Sequence, residues 1–376
     1  SVARSTGNSQ YYRPARGLRN LLAAEAQTAP VVFVVNDLHW ADASTLELIH
    51  DVVLHTRDLP ILLAGSYREM ELDRAHPLNR LLSDLNRERL LVREHLRRLN
   101  AHDTAELVTA LLSGHIPTGL AQLVSERTDG NPFFIEELLR SLLDTGAITF
   151  DKDKPRLICE IKALDVPETL EQVLAARIDR LSADQKATLQ KASVIGRIFN
   201  RAVLRALDSG HGRVDADLDR TLDDLKRRQF IQSREQQASE TVSLRENEFI
   251  FKHVITHEVA YRSLLLSRRK QLHADTGRAL ERLFPQRLDD LAATLGYHFE
   301  RAEDHGRAAD YLARAAERAK ATFANTEAIG FYESAIRETE HVLQANDASQ
   351  QRQKASHFHE ALGELLRRQI LEEAGP

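Results

Sequence analysis

Asp37 is the residue of this chain that is best placed to do chemistry. It stands two positions after the run Val31-Val32-Phe33-Val34-Val35. Five consecutive apolar residues, four of them Val, are typical of a strand buried on both faces of a parallel sheet. Ligands of open α/β sheets bind outside the carboxyl ends of the strands. A carboxylate there can hold Mg²⁺ or its bound water, or it can cap the turn that follows.

An acid at the end of a buried strand is also the Walker B position of P-loop ATPases, where it helps to hold Mg²⁺ against the phosphates. These proteins grip the phosphates with a G-x-x-x-x-G-K-[ST] loop, and no such loop occurs in the 376 residues. The chain begins with Ser1 and its single methionine is Met70. We therefore expect part of a longer parent protein, cut off downstream of the P-loop.

Composition limits the class of protein. A length of 376 residues predicts two or three domains. The formal net charge of -5 gives no basic surface for general nucleic-acid binding. The single cysteine, Cys159, cannot form an internal disulfide, which favours a cytoplasmic protein. No run of 18 apolar residues occurs, so we expect no membrane span.

The first third of the chain alternates strand and helix patterns. Further strands are predicted at Leu59–Ser66 and Leu90–Val92, and helices at Thr45–Leu54 and Ala101–Leu112. Asn100 is a plausible cap of the last of these helices. This alternation favours a parallel sheet covered by helices.

Helical periodicity dominates after Leu120, with β-rich exceptions at Ile148–Ile161 and Phe230–Phe251. Three predicted helices followed by a hairpin at Phe230–Phe251 give the element order of a winged helix. Toward the C-terminus, residues 308–315 are echoed by residues 328–335, with small residues beside aromatics. This pattern is similar to that of stacked helical hairpins of the tetratricopeptide (TPR) type.

Four stretches together resemble the STAND class of signalling ATPases, specifically the predicted-ATPase module of large bacterial regulators. In different parents, such modules accompany LuxR-type DNA-binding, adenylyl cyclase or protein kinase domains. The likeness covers about Arg16 to Arg337. The four stretches are Asn36-Asp37-Leu38-His39-Trp40-Ala41-Asp42, Ala64-Gly65-Ser66-Tyr67-Arg68-Glu69, Asp129-Gly130-Asn131-Pro132-Phe133-Phe134-Ile135-Glu136-Glu137-Leu138 and Phe251-Lys252-His253-Val254-Ile255-Thr256-His257-Glu258-Val259-Ala260-Tyr261.

The resemblance implies an α/β fold followed by mainly α structure. A partial P-loop-type parallel sheet would occupy residues 1–115, a helical lid residues 116–165, a winged helix residues 166–262 and TPR-like repeats residues 263–376. ATP and Mg²⁺ would be cofactors of the intact parent, with ATP acting as a conformational switch in a transcription or signalling regulator.

The resemblance also implies roles for single residues. Asp37 would be the catalytic and metal-binding residue. Arg68 would contact the γ-phosphate with its planar fork, or it forms a salt bridge with a neighbouring glutamate. Gly130, Asn131 and Pro132 would close over the adenine, with Pro132 as the base contact. Capping alone also explains these three residues, because Asn is a strong N-cap and Pro suits the first helical turn.

Asn36 departs from the family pattern, which has Asp or Glu at this position. An amide can hydrogen-bond a water molecule but cannot act as a general base. We therefore expect at most weak ATP hydrolysis by the parent, and none by this chain, which also lacks the P-loop. The alternative hypothesis is a non-enzymatic protein-interaction scaffold with a degenerate ATPase core.

The expected partners are an effector domain of the same parent chain and a peptide or protein bound to the helical repeats. A nucleotide-dependent oligomer is compatible with the family. Direct DNA binding is not expected, because helix 214–228 carries five aspartates that would repel phosphates. His253 and His257 lie four residues apart, and we expect them to pack or hydrogen-bond rather than to bind a metal.

Overall fold

The structure, a computed structural model, describes residues 12–114, 116–151, 154–158, 167–208, 215–234, 248–322, 324–345 and 349–374. These residues form sixteen α-helices and seven short strands, so the fold is mainly helical with three small sheets. The chain divides into two compact units, residues 1–97 and residues 98–376. The predicted division into four domains is finer than this and stays a prediction.

The first unit is built on two parallel strands, as the alternating pattern predicted. Residue Val35 at the end of one strand lies opposite Gly65 at the end of the other. Because both strands end at one edge, the residues that follow them meet there. The elements of this unit are α1 (Tyr12–Ala26), β1 (Val31–Val35), α2 (Ala43–Thr56), β2 (Ile61–Gly65) and α3 (Pro77–Arg87).

Strand β1 is half-buried on one face and exposed on the other, so the prediction of burial on both faces is wrong for this chain. The side chains of Val35 and Leu63 pack against a core formed by α2 and α3. On the opposite face, Val32 is 63% exposed, Val34 57% and Leu62 62%. The apolar run therefore forms a strand of the expected type, but the described unit supplies helices to one side of it.

The strand predicted at Leu90–Val92 does not form, because Leu90 closes the C-terminus of α3. Arg89 adopts a left-handed backbone conformation with φ 58° and donates to the Asn86 carbonyl. The Leu90 amide then donates to the Leu85 carbonyl at 2.9 Å. This is the hydrogen-bond pattern of a Schellman motif, in which an apolar residue after the helix packs back on it.

The second unit begins with three helices and a β-hairpin that share one hydrophobic core. Asn100 caps the first helix, as predicted, by accepting from the amides of His102 and Asp103. The hairpin confirms the β-rich pattern after Ile148, although residues 152, 153 and 159–161 lie outside the described residues. The elements are α4 (Ala101–Leu111), α5 (Leu120–Thr128), α6 (Pro132–Asp144), β3 (Ile148–Asp151) and β4 (Lys154–Leu157).

Four further helices pack around a three-stranded antiparallel sheet of order β5-β7-β6. The predicted hairpin is present, and its connection over residues 235–247 lies outside the described part of the chain. The third strand, β5, was not predicted. The elements are α7 (Leu170–Asp179), α8 (Ala183–Ile195), β5 (Ile198–Asn200), α9 (Arg201–Asp208), α10 (Asp215–Arg227), β6 (Ile231–Ser233) and β7 (Glu248–Phe251).

The C-terminal part is helical throughout its described residues. The two echoing stretches lie on α14 and α15, which pack on each other through alanines such as Ala316 and Ala328, both fully buried. No described helix has the length and apolar character to cross a membrane. The elements are α11 (Val254–Arg262), α12 (Leu266–Leu283), α13 (Ala292–Arg301), α14 (His305–Ala321), α15 (Asn325–Ala345) and α16 (Ser349–Ala374).

A buried chain of polar side chains joins α11, α12 and α13. The Tyr261 hydroxyl lies 2.9 Å from Nε2 of His273, and Nδ1 of His273 lies 2.9 Å from Nδ1 of His298. Burial lowers the pKa of His298 to about 3 and that of His273 to about 4, so both rings are neutral at pH 7.

We expect these histidines to make the fold sensitive to acid. Each is protonated more readily in the unfolded chain, so the free energy of unfolding is largest above about pH 6.5 and falls toward pH 4. Between these pH values, each such histidine makes the free energy of unfolding change by about 1.4 kcal/mol more per pH unit. When the free energy of unfolding is measured with denaturant between pH 4 and 7, it should depend less steeply on pH for His298→Gln than for wild type. The exposed His357→Gln is the control, and an equal slope in both variants would contradict the prediction.

Candidate functional site

The residues that follow β1 and β2 form a cluster that we call the strand-end site: Asn36, Asp37, Ser66 and Arg68. The Ser66 hydroxyl donates to Oδ1 of Asn36 at 3.1 Å and accepts from the Asp37 amide at 3.2 Å. Asp37 itself adopts a left-handed conformation with φ 59°, which Asp tolerates better than most residues. The parallel pairing therefore brings together the residues that the sequence predicted at this edge.

The segment after Asp37 is held to its own unit by hydrogen bonds. The Leu38 amide donates to the Ser66 carbonyl at 2.8 Å, and Asp42 caps α2 by accepting from the Thr45 amide. Nδ1 of His76 accepts from the Leu78 amide, so its Nε2 carries the proton and donates to the His39 carbonyl at 3.0 Å. These bonds fix the backbone that follows the carboxylate.

His39 and Trp40 follow Leu38 in the same turn and differ in exposure. Trp40 is 60% exposed, so most of its surface faces solvent rather than the sheet. His39 is the buried residue of the pair, at 5% exposure. Both residues belong to a one-turn 3₁₀ helix over Leu38–Trp40, and their rings are in contact with centroids 4.9 Å apart.

Arg68 is held by Glu71, which is one of the two alternatives that the sequence left open. Its guanidinium lies 2.6 Å from Oε1 of Glu71, and Oε2 of the same carboxylate lies 3.2 Å from Nε2 of His39. The Arg68 side chain is 56% exposed. An anion that approached this edge would therefore compete with Glu71 for Arg68.

The donor set of the strand-end site fits Mg²⁺ that is held mainly by water and phosphate. Asp37 contributes one carboxylate beside the Ser66 hydroxyl and the Asn36 amide oxygen. Mg²⁺ is commonly bound through one or two carboxylates plus substrate phosphates rather than by a protein cage. Within the described ranges, no group of three or more His, Cys, Asp or Glu side chains is arranged to hold a metal alone.

The second cluster, which we call the helix-start site, comprises Gly130, Asn131, Pro132, Phe133 and His253. Gly130 has φ +66°, and a Cβ atom on it would lie 2.0 Å from the Leu99 carbonyl oxygen. The Gly130 carbonyl also accepts from the Leu99 amide at 2.9 Å. Glycine is required here because the two backbones touch.

Asn131 and Pro132 begin α6 in the manner that capping alone predicts. Oδ1 of Asn131 accepts from the amides of Phe133 and Phe134 at 3.1 and 3.3 Å. Pro132 occupies the first helical turn and is exposed to solvent. A helix N-terminus carries a partial positive charge, and an exposed proline ring offers an apolar surface beside it.

His253 lies beside this helix start, although the residue is more than a hundred positions away in sequence. Its ring stacks on Phe133 with centroids 3.7 Å apart, and its buried Nε2 has no hydrogen-bond partner among the described residues. Burial, followed by the charge of Lys252, lowers the pKa of His253 to about 4. The imidazole is therefore neutral at pH 7 and can donate or accept one hydrogen bond.

The two histidines expected to pack do so against different helices. His253 occupies the position before the first turn and contacts Phe133. His257 lies within the helix, and its Nε2 is 2.9 Å from the Ser193 carbonyl. The sequence placed His253 in a family-like stretch but gave no sign of its contact with the helix start, because nothing local links the two.

The strand-end site belongs to the first unit and the helix-start site to the second. Asp37 and Arg68 follow the two strands that end at one edge of the first unit's sheet. Gly130, Asn131 and Pro132 lie at the start of α6, where His253 contacts Phe133.

Comparisons with known proteins give matches of three kinds. A family described as "Domain of unknown function (DUF8739)" matches residues 100–156, from α4 to β4. An uncharacterized protein of Rhizobium meliloti (strain 1021) is 26% identical over 265 residues, covering 69% of this chain and 23% of that protein. The crystal structure of a Signal Transduction ATPase with Numerous Domains (STAND) protein with a tetratricopeptide repeat sensor, from Pyrococcus horikoshii, aligns with a TM-score of 0.46 and 11% identity. It covers 98% of this chain, which spans 53% of that structure's chain.

We predict that Gly130→Ala destabilises the second unit far more than Gly146→Ala. Both glycines have positive φ, so alanine costs roughly 1–2 kcal/mol at either position. Gly146 has open space where a Cβ would lie, whereas Gly130 faces the Leu99 backbone. Urea unfolding followed by circular dichroism should show at least about twice the loss for Gly130→Ala. Equal losses would contradict the close contact.

Proposed function

We propose that this chain is part of a nucleotide-regulated signalling ATPase module of the STAND type, from a bacterial transcription or signalling regulator. In this proposal, residues up to about 115 belong to the nucleotide-binding core and residues 116–165 to a helical lid. The three-stranded sheet and its helices form a winged helix, and α12 to α16 begin TPR-like repeats. ATP acts as a conformational switch in the intact parent.

The helix-start site is the observation that carries the proposal. The start of α6 offers a partial positive charge, and His253 offers a buried Nε2 without a hydrogen-bond partner among the described residues. A buried polar atom without a partner costs free energy unless a ligand supplies one. A nucleotide suits this environment, since it combines a flat base for the exposed Pro132 with acceptor atoms for the imidazole.

The strand-end site contributes the second part of the proposal. Asp37 would hold Mg²⁺ or its bound water, and the metal would neutralise the phosphate charge. Arg68 would exchange Glu71 for a phosphate oxygen, because its fork fits either anion. The amide of Asn36 bridges the strand ends through Ser66 and cannot take a proton, so the parent would bind ATP better than it turns it over.

A switch needs nucleotide to favour one arrangement over another. We propose an effector domain in the same parent chain and a peptide or protein partner on the helical repeats. An assembly that forms with nucleotide is part of the same proposal. The contacts of α10 favour a role other than DNA binding, because Arg220, Lys226 and Arg227 each pair with an aspartate of their own helix.

The substitution Asp37→Ala tests the proposed Mg²⁺-dependent binding of nucleotide at the strand-end site. In the protein expressed from its complete coding sequence, calorimetry with ATP and Mg²⁺ should give a Kd at least about tenfold higher for Asp37→Ala, or about 1.4 kcal/mol. Omitting Mg²⁺ should remove the difference. Asp58→Ala is the matched control, because Asp58 is exposed and lies before β2, at the other end of the strands.

His253→Leu tests the helix-start site independently. The substitution keeps an apolar contact with Phe133 but removes the hydrogen-bonding nitrogen. We expect weaker binding of ADP by about fivefold or more, with or without Mg²⁺, because one hydrogen bond to a buried partner is lost. His102→Leu on the exposed face of α4 should leave binding unchanged.

The alternative function is a protein-interaction scaffold with a degenerate ATPase core, and Asn36 favours it. Its amide serves as a structural bridge where a second acid would serve catalysis. Absence of ATP and ADP binding by the complete protein would rule out the switch and leave this scaffold.

A further inference from the structure

Arg177 is a buried cation that bridges two helices and a turn. Its side chain is 3% exposed, and its guanidinium forms an ion pair with the equally buried Glu137 of α6. Nε lies 3.4 Å from Oδ2 of Asp144, at the other end of that helix. A second nitrogen donates to the Arg228 carbonyl at 2.9 Å, and the guanidinium carbon lies 4.7 Å from the ring centre of Phe230.

The turn that Arg177 contacts leads directly into β6. Amides of this turn donate to carbonyls of α10: Gln229 to Lys226 at 2.8 Å and Phe230 to Leu225 at 3.0 Å. The Phe230 carbonyl in turn accepts from the Lys252 amide, just after β7. Arg177 on α7 therefore connects α6 with the three-stranded sheet from within the core. A more exposed link runs beside it, because Lys252 lies 3.6 Å from Oε2 of Glu136 and donates to Oε1 of Gln229 at 2.6 Å.

Glu137 also has a partner on its own helix. Arg140 lies 3.2 Å from Oε1 of Glu137 and 3.3 Å from Oε2 of Glu136. The same carboxylate thus pairs once within α6 and once across to α7. Because Glu137 has both partners, the effect of its pair with Arg177 can be separated from the effect of losing one arginine beside the carboxylate.

A buried ion pair is weak evidence for stability, because the cost of removing two charges from water offsets their attraction. Its best-attested use is to fix one arrangement of the elements that it joins. We propose that Arg177 is a positioning residue that couples the start of α6 to the turn before β6. A displacement of the helix-start site then reaches the three-stranded sheet through Glu137.

A role of this coupling in regulation rests on the proposed function, because there the bound nucleotide is what displaces the start of α6. The coupling itself can be measured without a ligand. Asn131→Ala removes two capping hydrogen bonds at the start of α6 and is used to loosen that helix start. Amide hydrogen exchange of the turn 228–230 serves as the readout.

In the wild-type background, Asn131→Ala should speed exchange of the amides of Phe133 and Phe134, and also that of the turn by about threefold or more. In a Glu137→Met/Arg177→Met background, which removes both charges and keeps apolar stems, exchange at the start of α6 should still rise. The acceleration in the turn should fall to about half or less, with the remainder carried by the Glu136–Lys252 pair. The double substitution is used because Arg177→Met alone leaves Glu137 buried without its partner across the interface.

Arg140→Met is the matched control, because it removes an arginine from the same carboxylate without cutting the link to α7. Transmission to the turn should persist in this background. An equal response of the turn with and without the Glu137–Arg177 pair would overturn the proposal. So would a turn that does not respond to Asn131→Ala in the wild-type background. Neither result depends on nucleotide binding.

Discussion

The contact between the backbones of Leu99 and Gly130 is the constraint on which the second unit depends. It places the first turn of α6, and the side chains that α6 presents to its neighbours follow from that placement. Ile135 and Leu138 fill the core shared with α4 and α5, while Glu137 meets Arg177 on the other side. Because a helix is rigid over three turns, an error at its start would displace all of these contacts together.

Helix α6 places charged side chains in its interface with α7, including a buried glutamate. One side of the helix carries Glu136, Glu137 and Arg140, and Glu137 is only 1% exposed. A purely apolar interface would pack equally well and would not require matched charges. The ion pairs instead penalise any arrangement in which α6 slides or turns against α7, because each would leave a charge in a dry environment. Specific positioning, rather than added stability, is the physical outcome.

Local patterns were enough to predict much of the fold. The cap at Asn100, the paired strands β1 and β2, and the hairpin around β6 and β7 each follow from residues that are close in sequence. The predicted strand at Leu90–Val92 failed because an apolar residue after a helix can close a Schellman motif as well as begin a strand. Burial of both faces of β1 depended on neighbours that five valine-rich residues cannot specify.

For the candidate sites too, local motifs indicate some residues, whereas contacts between residues distant in sequence could not be predicted. Asp37 and the Gly130–Pro132 turn could be proposed as candidates from the sequence, because each belongs to a short motif at the end of a strand or the start of a helix. The contact of His253 with Phe133 and that of Arg177 with Glu137 join residues 120 and 40 positions apart. Periodicity and spacing carry no information about such pairs, since only the packed fold decides which side chains meet.

The exposed face of β1 and β2 has a practical consequence for handling this chain. Val32, Val34 and Leu62 form an apolar strip on a sheet whose two strands pair only with each other within the described residues. Open strand edges beside apolar side chains act as templates for pairing with a neighbouring molecule. Concentrated solutions of the chain should therefore self-associate through this sheet, and a charged residue at position 34 would be the simplest way to keep it monodisperse.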